Sequence, residues 1–565
     1  MLNVPSEQPS ARTARPVIRG TRYAISTRKP QATQAGERVL RAGGNAFDAA
    51  VAAFAVLAVT DPAMTGIGGD AFALVYSANE DRVWSVNGGG SAPALGTIDW
   101  FRDYNGSRIP VNDGLLAASA PGVLDVCYQL LDRWGTMTLG ELLAPAIELA
   151  GGGFPISEYL ADFLDFSAPK LQKYPTSAAL YFPENRCLQA GDVLRNPNLA
   201  RTLGMIVDAE EQAAGQGRRV ALRAARDCFY RGDIARAVGE FCEHNGGLFR
   251  YEDFARYEAK VETPISTRYR GYDVYKNPSA NQGPVELILL NLLSAYNLKS
   301  LGHNSPAYIH LCAEAAKLAY SDREQYLGDA DFIPIPFDRL LSEDYAAERR
   351  ALIGDRAAMP MAKAAGHANH DGDTSYLAIV DSKGNAVSFT PSLHSAFGTG
   401  VVIGDTGLIL NCRGDFWHLD PGHPNAMMPG KRVRSTLTPT LVMRDGKLSM
   451  VLGSPGGDDQ PLRIAQTFLN MVDFGMNVQE AIEAPRWSTT SFPASEFPHT
   501  VYPCQIALEE RIPGDVQSAL ADRGHTVEVK GAWTLGANCA VVVDRDRGTL
   551  CAGADPRGDS YALAW

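Results

Sequence analysis

Apolar residues run almost unbroken through AFDAAVAAFAVLAV, Ala46–Val59, with Asp48 the one polar interruption. A surface apolar on all sides predicts a helix buried on every face. The run is too short to cross a bilayer. Asn45 can cap it, Asp48 makes an imperfect capping box, and Asp61-Pro62 stops it. Helical spacing recurs over Gly122–Arg133, Leu139–Ala150 and Pro197–Val207, and more strongly over Pro284–Leu298 and Ala307–Leu327. TGIGGDAFALVYS and VWSVNGGG carry glycine-punctuated strand signals. Beyond Thr374 the pattern is strand-rich, with one long helix near Pro461–Phe474. Strands at both ends and helices between them predict an α/β sandwich of interleaved halves.

One alternation bears on chemistry. In HDGDTSYLAIVDSKGN a polar run ends at Asp373, and a strand pattern begins at Thr374. Thr374, Tyr376, Ala378 and Val380 alternate with Ser375, Leu377 and Ile379. Asp381–Asn385 reads as a turn and Ala386 opens a second strand. Pairing Val380 with Ala386 and counting back puts Thr374 opposite Ser392; a one-residue slip would break this. A threonine hydroxyl is a poor nucleophile without a base beside it. If the chain breaks between Asp373 and Thr374, the freed α-amine supplies one. Its ordinary pKa, about 7.7–8.0, suits it to take and return a proton. The blander reading is a strand that happens to begin with threonine.

Length and composition narrow the class. At 565 residues the chain can bury a large core, and length alone suggests two to four domains. A net charge of −12 advertises neither nucleic-acid nor anionic-membrane binding. The nine cysteines are scattered without a CxxC pair, which fits reduced thiols in the cytoplasm. The N-terminus has no apolar signal-peptide core, while its arginines leave an organellar transit peptide open. GIGGDA (Gly66, Gly68, Ala71) fits a dinucleotide-binding glycine pattern, but a helix precedes it and a strand follows, so it reads as a structural turn. GSPGG, Gly453–Gly457, lacks the first glycine of a nucleophile elbow. His367, His370, Asp371 and Asp373 read as a solvated loop rather than a metal site. No metal and no cofactor are expected.

Several stretches, in this order and spacing, carry a resemblance: GGNAFDAAVAAFAVLAVTDPAMTGIGGD, FYRGDIA, EAAKLAYSDREQYLGD, DGDTSYLAIVDSKGNAVS, FGTGVVIGDTGLILN, GSPGG and ADPRG. From about Ala32 to its end the chain resembles the γ-glutamyltransferase (γ-glutamyltranspeptidase) family of N-terminal-nucleophile hydrolases. The resemblance implies a four-layer αββα sandwich. It also implies a precursor that cuts itself at Asp373-Thr374. Residues 1–31 are then an N-terminal tail, 32–373 a large-subunit segment and 374–565 a small-subunit segment. The two fragments stay together as a heterodimer, with a larger oligomer left open. By motif, Thr374 is the nucleophile, Ser392 its supporting hydroxyl, Gly456 and Gly457 the oxyanion hole, and Ser435 and Thr436 the hydroxyls that meet the donor substrate. Glycines suit an oxyanion hole because backbone N–H groups can approach closely. Asp458 or Asp459 is expected to cap the helix that follows, with Pro461 in its first turn.

Departures from the family pattern bear on substrate. Gly89 stands where glutamyl-specific members hold the donor carboxylate with arginine, and His394 replaces an asparagine. The acidic residue that grips the donor amine aligns with Phe416, or with Asp415 after a one-residue slip. Arg413 offers a cation from another side, as a bidentate fork for a small carboxylate or as a structural group. The short loop from Asp415 to Ser435 implies no lid. This variant set resembles a branch that includes oxamate amidohydrolase. The leading expectation is therefore an amidohydrolase acting on a small amide. The alternatives are a γ-glutamyl hydrolase or transpeptidase, an acylase on a larger amide, and an uncut binding protein.

Overall fold

The computed structural model describes residues 13–357 and 374–565. His367, His370, Asp371 and Asp373 lie outside the described residues. Two seven-stranded sheets form the centre. The first runs, in spatial order, Ile18–Gly20, Thr549–Ala554, Cys539–Asp544, Lys447–Gly453, Thr440–Arg444, Tyr272–Lys276 and Ile265–Tyr269. The second runs Tyr561–Ala564, Ala24–Thr27, Leu377–Val380, Ala386–Ser392, Asp70–Ser77, Arg82–Gly88 and Lys260–Glu262. Each sheet draws strands from both sides of Thr374. Within the segment expected as an N-terminal tail, the described residues supply one strand to each sheet, Ile18–Gly20 and Ala24–Thr27.

The period-two pattern decides what each face meets. Tyr376, Ala378, Val380 and Ala386 pack with Leu441, Val451 and Val541 of the other sheet. Leu377, Ile379, Val387 and Phe389 face the opposite way, into a helical layer. The helix Ala46–Thr60 belongs to that layer, and all of it is buried. Asn45 and Asp48 close a complete capping box, and the N–H of Ala46 donates to the Asp381 carboxylate at 3.0 Å, tying helix to hairpin. Helices Gly283–Leu293, Pro306–Tyr326 and Gln460–Val472 cover the outer face of the first sheet. The order is thus helix, sheet, sheet, helix, as the family resemblance implied. Among the described residues, no helix is long and apolar enough to cross a membrane.

Candidate active site

The hairpin carries the register counted from the sequence: Val380 faces Ala386 and Leu377 faces Phe389. Asp381 fixes it, its carboxylate accepting from the N–H groups of Lys383 at 2.8 Å and Asn385 at 3.0 Å. The strand begins at Leu377, but the N–H of Ser375 still reaches the carbonyl of Pro391 at 3.0 Å. One residue further, Thr374 Oγ1 lies 3.2 Å from Ser392 Oγ, both fully buried. Ser392 Oγ also accepts from the N–H of His394 at 2.7 Å.

A third group meets the threonine. Gln460 Nε2 donates to Thr374 Oγ1 at 3.4 Å. The N–H of Thr438 donates to Gln460 Oε1 at 3.2 Å, which orients the amide. Nothing in the sequence pattern marked Gln460 beyond its place in DDQP.

Of the glycine pair, Gly456 lies closest to the threonine's surroundings. Gly456 and Thr374 line one cavity. Among the described residues, neither glycine spends its N–H on a backbone carbonyl. Gly456 has φ +126°, and a Cβ there would lie 1.8 Å from Arg463 Nη1, so only glycine fits. Gln282 Nε2 holds the loop, donating to the carbonyls of Gly457 and Thr436, each at 3.0 Å. Asp459 stands at the N-cap of helix Gln460–Val472 with Pro461 in the first turn, as expected, but its side chain makes no capping hydrogen bond. Asp458 instead pairs with Arg323 and accepts from the N–H of Ser495 at 2.7 Å. Asp459 pairs with Arg463 at 3.1 Å. Both carboxylates anchor the loop sideways, which leaves the helix start open.

The expected substrate side chains gather around a residue the motif search passed over. Asp70 follows the glycine turn and pairs across the sheet with Ser392. Arg413 Nη2 lies 3.0 Å from Asp70 Oδ1, and Ser435 Oγ donates to Asp70 Oδ2 at 3.1 Å. Arg413 Nη1 donates to Thr436 Oγ1 at 3.0 Å. Arg413 is fully buried, and each terminal nitrogen already donates to a protein oxygen, one of them on the Asp70 carboxylate that balances its charge. Its Nε keeps one donor without a partner among the described residues.

His394 adopts φ +82° and sets its ring edge-on to Phe416, centroids 4.3 Å apart. Its Nε2 lies 3.0 Å from Asp415 Oδ1 but is misaligned for a hydrogen bond. Asp415 Oδ2 accepts from the N–H of Asn112 at 2.9 Å. With Cys412, these two bring three possible ligand atoms within 4.8 Å of one another. Burial, with Asp415 adding to it, pushes the Cys412 thiol up. At Gly89 a Cβ would sit 3.0 Å from the Phe72 ring, so a side chain there would need that ring to shift by a few tenths of an ångström.

The family model for Gamma-glutamyltranspeptidase matches residues 32–565. The chain is 35% identical over 546 residues to the glutathione hydrolase-like YwrD proenzyme of Bacillus subtilis, covering 96% of this chain and 98% of that protein. It is 34% identical to the glutathione hydrolase proenzyme of Escherichia coli, covering 96% of this chain and 91% of the relative. Its fold superposes on the crystal structure of cephalosporin acylase from Bacillus halodurans with a TM-score of 0.87 and 32% identity, over 100% of this chain and 99% of the other.

Proposed function

The chain belongs to the gamma-glutamyltranspeptidase family of N-terminal-nucleophile hydrolases, and from that premise we propose a self-processing amidohydrolase whose nucleophile is Thr374. The observation that carries this reading is the convergence of Ser392 Oγ, Gln460 Nε2 and the glycine-lined cavity on one threonine hydroxyl. In processing, Thr374 Oγ1 attacks the carbonyl carbon of Asp373. The peptide C–N bond breaks, and the nitrogen stays on Thr374 as a free amine. Water opens the ester, leaving a carboxylate on Asp373 and a hydroxyl on Thr374. The amine then takes the hydroxyl proton as Thr374 attacks a substrate amide. Gly456 and Gly457 donate N–H groups to the tetrahedral oxyanion. The amine leaves with the proton, and water hydrolyses the acyl ester.

For substrate, we favour a small amide of the oxamate type. The support is the rebuilt donor side: Gly89 beside Phe72 instead of a carboxylate-binding arginine, and His394 in place of an asparagine. Ser435, Thr436, His394, Asp415 and the unpartnered Nε–H of Arg413 then surround the acyl group. The names of the relatives favour a second reading, hydrolysis of glutathione-like γ-glutamyl donors. The two fragments stay together because each sheet needs strands from both. Nine unpaired cysteines support a reducing compartment, the cytoplasm.

A denaturing gel tests the enzyme reading. Wild type should give fragments 1–373 and 374–565, and Thr374→Ala should stay whole. Wild type that stays whole after prolonged incubation refutes it. Single-turnover comparison of oxamate with a γ-glutamyl anilide tests the substrate; rapid turnover of the anilide refutes our reading of the pocket.

A further inference from the structure

The strand Leu377–Val380 has two neighbours, and only one carries the groups described so far. On its other edge lies Ala24–Thr27, with Thr27 opposite Leu377. Continuing that count places Arg28 beside Tyr376, two residues from the nucleophile. Arg28 is 2% exposed. Its Nη2 donates to the Tyr159 hydroxyl at 2.9 Å, and the Tyr159 ring centre lies 5.3 Å from the guanidinium carbon. Nε and Nη1 have no partner among the described residues. Asp61 acts on Arg28 from beyond ion-pair distance and lies 3.9 Å from Lys29.

Two unpartnered donor nitrogens on a buried cation are costly unless something accepts from them. Arg28 lines the cavity of about 290 Å³ that also touches Thr374, Pro455 and Gly456. The other charged groups lining it, Arg463 and Arg557, are held from behind by Asp459, Glu509 and Asp555. Three guanidinium groups therefore face this space, and among the described residues no carboxylate lines it. The indole of Trp533 adds an apolar wall.

We propose that this cavity is a carboxylate subsite of the active site, with Arg28 as its anion-binding residue. The carboxylate rides on the amide substrate, on its acyl half or on its amine half. Arg413, neutralised by Asp70, is then a positioning residue for Ser435 and Thr436, and Arg28 supplies the substrate's counter-charge. The inference rests on Thr374 as the nucleophile, because that residue makes the cavity part of a reaction site.

Calorimetric titration of the processed enzyme tests it with three probes. Oxalate represents an acyl-half carboxylate, 5-amino-2-nitrobenzoate an amine-half carboxylate, and 4-nitroaniline neither. One anion should bind wild type while the neutral aniline does not, and which anion binds identifies the half. Arg28→Met should weaken that binding at least tenfold. Arg28→Lys, which keeps the cation, should retain more affinity than Arg28→Met, and Tyr159→Phe should cost only a few-fold. Neither anion binding to wild type, or equal affinity in Arg28→Met, overturns the proposal; either is what a purely structural Arg28 predicts. The two readings fail separately. A chain that never cuts itself refutes the nucleophile whatever the titration shows. A self-cutting chain indifferent to both anions refutes the subsite alone.

Discussion

Replacing Asp70 by asparagine should unbalance the acyl side of the site. Asp70 and Arg413 are both fully buried and lie 3.0 Å apart. The asparagine side chain has nearly the same shape but no charge. One of its two terminal positions becomes an N–H donor, facing either Arg413 or Ser435, each of which also donates. Removing one partner of a buried ion pair costs about 3–5 kcal/mol, because the remaining charge stays in a low-dielectric interior. Removing both charges, in Asp70→Asn with Arg413→Met, should return most of that, since neutral replacements of buried pairs are often close to isoenergetic. Urea unfolding in the Thr374→Ala background, followed by tryptophan fluorescence, keeps the chain in one piece and avoids fragment dissociation. The expected signature is a large loss in either single variant and a double-mutant coupling of about 2–4 kcal/mol. If Asp70→Asn costs less than about 1 kcal/mol, or the cycle is additive within about 0.5 kcal/mol, the pair is not what holds Arg413 in place.

Three other perturbations probe the machinery. Ser392→Ala removes the hydroxyl 3.2 Å from Thr374 and leaves the buried N–H of His394 without an acceptor; self-cleavage timed on a gel should slow roughly tenfold, about 1.4 kcal/mol, and Ser392→Thr should recover most of it. Gly456→Ala forces a Cβ to 1.8 Å from Arg463 Nη1 at a φ of +126°; kcat on any turned-over amide should fall by on the order of a hundredfold, with a smaller change in KM. Burial pushes His499 down to about 4. The folded chain then stays neutral there while the unfolded chain takes up a proton below about 6.5. Stability should fall as pH drops from about 6.5 towards 4, by up to about 1.4 kcal/mol per pH unit from this residue, and His499→Phe should flatten that slope in heat-denaturation scans across pH.

How much of the site was legible depended on how far each contact reaches along the chain. Thr374 and Ser392 are joined by a short turn, so alternation and one loop length fix their register. The four-layer order came from the family resemblance, and the strand at Leu377–Val380 agrees with it: apolar on both faces, it needs a layer on each side to bury it. The N-terminal strands were not, because Ile18–Gly20 and Ala24–Thr27 are short and pair with Thr549–Ala554 and Tyr561–Ala564 at the far end of the chain. The aspartates after the glycine pair were misread because sequence proximity favours a helix cap, whereas Arg323 and Arg463 offer full charges in a buried setting. A carboxylate that caps a helix also makes a charge-assisted bond, but a buried carboxylate needs a full opposite charge beside it, and the guanidinium groups supply one.

Asp70 and Arg413 show the same limit with chemical consequences. In the sequence, Arg413 is a lone cation in a loop and Asp70 the tail of a glycine turn. Sheet order joins them, because Asp70 pairs across from Ser392 and Arg413 reaches the same strand end from its own loop. A charge read in isolation is naturally assigned to a substrate. Once its partner is buried beside it, that assignment must pass to a cation whose donors are still unspent. Arg28 meets that condition from the opposite edge of the nucleophile's strand, and no local pattern around TRKPQ could have marked it. A substrate's charge is therefore better sought among buried donors without a partner than among charged residues near a motif.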